Sequence, residues 1–157
     1  MEQSDLDIKS KAVFPGGDLS NFAPHRFVLD QIECASMEGF LQSLKVKDAE
    51  EQQRICRMQG VDAQKAGRRY EWNVEGTLWW NGAAFDRLSR EYQELLDRAY
   101  DALYLQVKRF RDALAATGNQ KLTHRSGKQD PCETILTEEE FCSRLHRLRE
   151  GGRSKNS

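Results

Sequence analysis

Apolar residues recur along the chain with two different periods. Phe85, Leu88, Tyr92, Leu95, Ala99, Leu103, Val107, Phe110 and Leu114 follow one another at three- and four-residue steps, which is the spacing of one helix face. The pattern predicts a long helix from Phe85 to Thr117, or two with a break. Gly118 stands where a C-cap glycine should. A last helix is predicted from Thr137, whose reciprocal capping partner is Glu140, with Phe141, Leu145 and Leu148 as its apolar stripe. Asp48 with Glu51 opens another helix, to be stopped by Gly60, and Asp62 opens a short one after it.

A second period, of two, marks Phe27–Leu29 and Ile32–Cys34, which predict a tight hairpin turning at Asp30-Gln31. Pro15, Gly16, Gly17 and Pro24 keep the stretch before it irregular, and "EWNVEGTLWWNG" reads as strand or loop. The fold class that follows is α+β, mainly α: a compact helical domain around one long central helix, with a small N-terminal β-hairpin. One domain is expected over residues 11–149, with flexible tails at 1–10 and 150–157.

Bulk composition narrows the function classes. The chain has 157 residues, enough for one core without disulfides or metals, and its 24 basic and 25 acidic residues nearly cancel. Total charge therefore does not point to nucleic acid or a membrane surface, and any anionic ligand must be held by a local patch. No run approaches the roughly 20 apolar residues of a membrane span. The polar start "MEQSDLDIKSK" lacks the apolar stretch of a signal peptide. Cys34, Cys56, Cys132 and Cys142 form no C-x-x-C pair and have no histidine at zinc-ligand spacing, so free thiols, no metal and a cytoplasmic setting are expected. No G-x-G-x-x-G follows a strand, which disfavours a nicotinamide oxidoreductase.

"SMEGFLQSLKVKD", from Ser36 to Asp48, carries the candidate chemistry. Ser36 is a good N-cap and Phe40, Leu41 and Leu44 supply an apolar stripe. Glu38, Gln42 and Lys45 fall at i, i+4 and i+7, so they stack on one side of that helix. By spacing alone, such a row is a solvated face.

Several short motifs in order give the row another meaning. "LSNFAPHRFVLDQIECASMEGFLQSLK" resembles the opening of the NADAR family, with Ser20, Asn21 and Phe22 as the first motif and Ser36, Glu38, Gln42 and Lys45 as the second. "AQKAGRR" resembles the family's K-x-x-G-R element through Lys65, Gly67 and Arg68. "LWWNGAAFDRLSREY" resembles its tryptophan segment, aligned on Trp80 with Trp79 as the alternative. "LAATGNQKLTHRSGKQD" resembles its closing stretch. The likeness spans about Leu19 to Asp130. His124 stands where many members carry glutamate, and "PCETILTEEEF" replaces the tryptophan-glycine that often follows the aspartate.

The resemblance implies a small, mainly helical, metal-independent and cofactor-free N-glycosidase. The implied substrates carry a ribose–nitrogen bond next to a phosphate: ADP-ribose on guanine, in DNA or a guanine nucleotide, or the ribosylamino-pyrimidine phosphates of riboflavin synthesis. Breaking such a bond builds positive charge at C1 and the ring oxygen, which a carboxylate stabilises while an acid helps the base leave. On the resemblance, Glu38 is the principal acid/base and Asp130 the second carboxylate. Lys45 either holds Glu38 ionised or attacks C1 as a nucleophile. Asn21 and Gln42 would fix ribose hydroxyls, and Phe22 and Trp80 would stack a base. Lys65, Arg68 and the close backbone of Gly67 would hold phosphate, with His124 and Ser126 on the last wall. Two other classes stand beside this one: a module that binds ADP-ribose or NAD without cleaving it, and a helical adaptor that self-associates through the long helix.

Overall fold

The computed structural model describes residues 4–155. The rest of the expected tails, residues 1–3 and 156–157, lies outside the described residues. Thirteen elements follow one another: β1 (Leu6–Asp7), α1 (Gly16–Leu19), β2 (Phe27–Leu29), β3 (Ile32–Cys34), α2 (Met37–Ser43), α3 (Ala49–Cys56), α4 (Gly60–Gly67), β4 (Thr77–Trp80), β5 (Ala83–Asp86), α5 (Arg90–Gln106), α6 (Lys108–Ala116), β6 (Leu122–Thr123) and α7 (Glu138–Lys155). The fold is α+β and mainly helical, as the periodicity predicts. None of these helices is long and apolar enough to cross a membrane.

The three strand pairs are separate two-stranded ladders. β2 and β3 pair antiparallel about Asp30-Gln31, both at positive φ (50° and 67°), the geometry of a two-residue hairpin turn. β4 and β5 form a second hairpin about Asn81-Gly82, and this corrects the reading of Phe85 as the start of the long helix. The Asn-Gly pair is itself the strongest short hairpin signal, and it outranks one apolar residue at helical spacing. β1 pairs in parallel with β6, and Ile8 beside it is fully buried. The described part of 1–10 is therefore not a loose tail: its strand and its isoleucine are covered by the domain. At the other end α7 runs to Lys155, past the expected boundary at 150.

The long periodic segment is two helices. Val107 leaves helical geometry (φ −115°, ψ 100°), and the Arg111 guanidinium donates to the freed carbonyls of Tyr104 at 2.7 Å and Leu105 at 2.9 Å. Just before the break, Gln106 binds both backbone groups of Val28, at 2.7 and 2.8 Å, so its amide extends the β2 edge. Gly60 does not stop α3; that helix ends at Cys56 and Gly60 opens α4. The irregular stretch near Pro15 contains the four-residue α1. Thr137 and Glu140 make the expected reciprocal cap, at 2.8 and 3.1 Å.

All seven residues of α2 are buried, polar ones included. α3 and α4 pack against it. α5 supplies the largest buried face, through Tyr92, Leu95, Leu96, Ala99, Tyr100 and Leu103. This arrangement turns the polar side of α2 into an interior surface.

Candidate active site

Ser36 caps α2 by accepting from the Gly39 amide at 3.0 Å, and this fixes where the first turn begins. Glu38 lies in that turn, its backbone N–H donating to the Asn21 carbonyl at 2.9 Å. One turn later, Gln42 Nε2 donates to Glu38 Oε1 at 2.8 Å. Glu38 is 8 % exposed and Gln42 7 % exposed. Both line a cavity of about 230 Å³ shared with Asn21, Gln64 of α4, His124, Ser126 and Lys128. Its apolar wall is Leu41, Ile135, Leu136 and Phe141.

A depression of about 270 Å³ also lies beside the first hairpin, but its polar lining, Arg26, Glu33, Arg57 and Gln106, is exposed surface. Of these two, the cavity at Glu38 is the one whose polar lining includes buried groups. Burial raises the Glu38 pKa above its ordinary value, against the opposing pull of the Gln42 hydrogen bond and of Lys45 and His124. Lys45 pulls the Glu38 pKa down, as expected of a neighbouring cation, but desolvation outweighs it. Lys45 is half-buried, outside the cavity lining, and its own pKa is lowered, first by burial and further by Arg68 and Lys128.

His124 reaches the cavity because β1 holds it. Its Nδ1 lies 2.9 Å from the Ile8 carbonyl, which can only accept, so Nδ1 carries the proton and Nε2 is left for the cavity. Its backbone N–H donates to Glu138 at 2.7 Å, and its ring sits edge-on against Phe141 at 5.5 Å. Asp7 accepts from Thr123 and from the Arg125 amide, pinning the same loop. The first described residues thus build one wall of the site.

Asn21, Glu38, Gln42, His124 and Ser126 are brought together as expected. The other expected site residues are not part of the lining. Trp80 is 3 % exposed in the core, edge-on to Phe40, with Nε1 donating to Asp30 at 2.8 Å. Trp79 is no substitute, since it lies beneath the Lys47 ammonium at 5.0 Å, away from the cavity lining. Phe22 rests against Gly60. Asp130 is an exposed turn residue: its carboxylate accepts from the Cys132 amide at 2.9 Å, and its carbonyl accepts from Glu133 and Thr134. Lys65 faces a separate groove with Arg54 and Arg69.

Gly67 serves Gln42 rather than phosphate. A side chain there would collide with the Gln42 amide, so only glycine lets α4 close over it. Gln64, Lys128 and Thr134–Thr137 were not foreseen from sequence. Gln64 sits one turn before Gly67 on α4, a spacing that would have pointed to it once α4 was placed beside α2.

The family assignment rests on the whole chain. A family model described as bacteriophage protein GP30.3 matches residues 13–150. A 17.1 kDa protein encoded in the Gp30-rIII intergenic region of Enterobacteria phage T4 is 45 % identical over 150 residues, 94 % of this chain and 98 % of that one.

The chain belongs to the bacteriophage GP30.3 family.

The solved structure of E. coli YbiA superposes on this family member with a TM-score of 0.66 over 99 % of this chain and 89 % of that one, at 19 % identity. The fold of this GP30.3 protein is therefore NADAR/YbiA-like. A likeness at that identity concerns the fold, and the chemistry must be argued from the cavity.

Proposed function

We propose that this GP30.3-family protein is an N-glycosidase that hydrolyses a ribose–nitrogen bond of a phosphorylated substrate, removing ADP-ribose from guanine. The observation that carries the reading is the Glu38 carboxyl, buried at the floor of a half-open cavity that is also lined by Asn21, Gln42 and His124. A module that only binds ADP-ribose has no need of a desolvated acid, whose burial is costly.

In the forward direction the C1–N bond breaks and the base nitrogen takes a proton. Water adds to C1 and gives up one proton. Glu38 Oε2, which has no partner among the described residues, is the base for that water and faces the positive charge at C1. His124 Nε2, when protonated, supplies the proton to the leaving nitrogen, taking the place expected of Asp130. Arg68 and Lys128 both act electrostatically on Lys45, which in turn acts on Glu38, and none of the three cations has an ion-pair partner within 4.0 Å among the described residues. This local patch suits the phosphates that a near-neutral chain must bind by position.

The cavity volume favours one alternative. About 230 Å³ is smaller than the ~300–1,000 Å³ of pockets that enclose a drug-sized ligand, so it fits one sugar with a small flank. A ribosylamino-pyrimidine phosphate uses such a space more fully than an ADP-ribosyl guanine, most of which would lie outside. The deciding experiment incubates wild type and Glu38→Gln with an ADP-ribosylated guanine oligonucleotide and with ribosylamino-pyrimidine phosphate, and follows release by mass spectrometry. Cleavage by wild type alone supports the reading. Failure to cleave either, with tight binding of ADP-ribose, would leave a binding module. Borohydride trapping during turnover separates the two roles of Lys45, because only an imine to the opened sugar is reduced to a stable adduct.

A further inference from the structure

Tyr100 lies in the middle of α5 and is fully buried. Its position on the apolar stripe marks it as a core residue, but its hydroxyl points at the site. The hydroxyl donates to Asn21 Oδ1 at 2.7 Å, across 79 residues of sequence. It has no other hydrogen-bond partner among the described residues, and burial raises the phenol's pKa well above its ordinary value. It is therefore a fixed donor.

A fixed donor dictates which way an amide faces. An asparagine amide can present either its oxygen or its nitrogen to a ligand, and the two ends differ little in size. Here the oxygen is engaged by Tyr100, so the nitrogen is the end of this cavity-lining side chain that has no hydrogen-bond partner among the described residues. The backbone of the same residue is also held, because its carbonyl accepts the Glu38 amide at 2.9 Å. Asn21 is thus locked at its backbone by the helix that carries the acid and at its side chain by α5.

We infer that Tyr100 is a positioning residue that sets the polarity of the cavity: it makes Asn21 a donor, so the ligand atom facing Asn21 accepts a hydrogen bond, as a ribose ring oxygen, a hydroxyl oxygen or a base carbonyl does, and a group that can only donate is rejected. In the same cavity, Glu38 Oε2 accepts and takes a hydroxyl or the attacking water. The site therefore selects a ligand with an acceptor beside a donor, in one orientation. A site built on such a donor rejects an analogue with the wrong group by far more than a methylene-sized change in an apolar pocket does. This inference rests on the proposed function for the identity of the ligand, but not for the state of the Asn21 amide.

The test uses Tyr100→Phe, with Tyr92→Phe as the control. Tyr92 is an equally buried tyrosine on the same helix, and its hydroxyl serves the Ile135 carbonyl at 2.6 Å. In ¹⁵N spectra of the full chain, the Asn21 side-chain NH₂ pair is expected to shift and broaden in Tyr100→Phe as the amide begins to flip, and to stay in place in Tyr92→Phe. With the ADP-ribosylated oligonucleotide, Tyr100→Phe is expected to raise KM about tenfold while kcat changes less than threefold. Combined with Asn21→Ser, it should cost no further affinity, whereas Tyr92→Phe and Asn21→Ser should be additive. Asn21→Asp, which offers only acceptors, should lose more affinity than Asn21→Ser. An unchanged amide pair in Tyr100→Phe, or additive losses with Asn21→Ser, overturns the inference. If wild type turns over no substrate, the glycosidase reading fails, and the amide spectra still decide the role of Tyr100.

Discussion

Two polar pairs in this molecule share one spacing and have opposite fates. Arg90 and Glu94 open α5 at i and i+4 and form a 3.2 Å ion pair at 88 % and 60 % side-chain exposure. Glu38 and Gln42 open α2 with the same spacing and are 8 % and 7 % exposed. Nothing local to the two helices separates them. What separates them is that α3 and α4 cover α2, that Gly67 permits α4 to lie directly on the Gln42 amide, and that β1 brings His124 over the remaining side. The exposed pair contributes little, because water screens it and long side chains must be ordered to make it. The buried pair is costly to bury and lines the cavity on which the proposed function rests.

Four substitutions break or sharpen this contrast. The largest effect is expected from Glu38→Gln, which should lower glycosidase turnover by roughly 10²–10⁴-fold, the range for loss of a general acid/base, while Glu94→Gln leaves it unchanged. Glu38→Gln should also raise the melting temperature at neutral pH. A carboxyl whose folded pKa lies above its unfolded value of 4.5 opposes folding once pH exceeds that unfolded value, and the opposition levels off above the folded one. The gain from Glu38→Gln should therefore be present at pH 7, shrink as pH falls and vanish below 4.5. A melting temperature that falls at pH 7 would mean that the carboxylate stabilises the fold.

Next is the ion pair behind the cavity wall. Arg87 is 3 % exposed, grips Glu140 at 2.6 and 3.0 Å and donates to the Thr134 carbonyl at 2.9 Å, so it ties β5 to the wall at 134–137 and to the cap of α7. Arg87→Ala should cost ~3–5 kcal/mol in urea unfolding, because it removes a buried guanidinium and leaves the partly buried Glu140 carboxylate without its charge partner. Gly67→Ala should cost ~1–3 kcal/mol by overpacking, and should lower activity as the Gln42–Glu38 hydrogen bond is displaced. A fully active Gly67→Ala variant would remove Gln42 from the mechanism. Smallest is Arg90→Gln, expected to change stability by under ~0.5 kcal/mol and to do less as salt rises.

Local signals were legible where a residue's chemistry acts within a few positions. The caps at Ser36, Asp48 and Thr137 and the first hairpin could be read directly, as could α5's apolar stripe, because each depends on contacts within one turn or one pair of strands. The reading was poorer where two local signals compete. The Asn81-Gly82 turn overrides the helical spacing of Phe85, and Gly60 opens α4 instead of stopping α3. Five of the fourteen cavity-lining residues were legible, through the motif that contains Glu38 and Gln42 together with Asn21, His124 and Ser126. Trp80, Phe22, Asp130, Lys65 and Gly67 also matched motifs, but a motif records that a residue is required without saying for what. Trp80 fills the core, Asp130 forms a turn and Gly67 makes room.

The sequence by itself determined the helical class, the positions of the main caps and turns, and the alignment of Glu38 with Gln42 on one helix side, since all of these are set by periods of two and 3.6 residues and by short-range hydrogen bonds. Only the tertiary structure decided that this side faces inward. Its decisive contacts are Ile8 to His124 across 116 residues, Tyr100 to Asn21 across 79, and the α4 backbone over Gln42. Burial depends on what lies against a surface. No spacing within a helix encodes its neighbours, so the same polar row is solvent-facing in α5 and a buried cavity wall in α2.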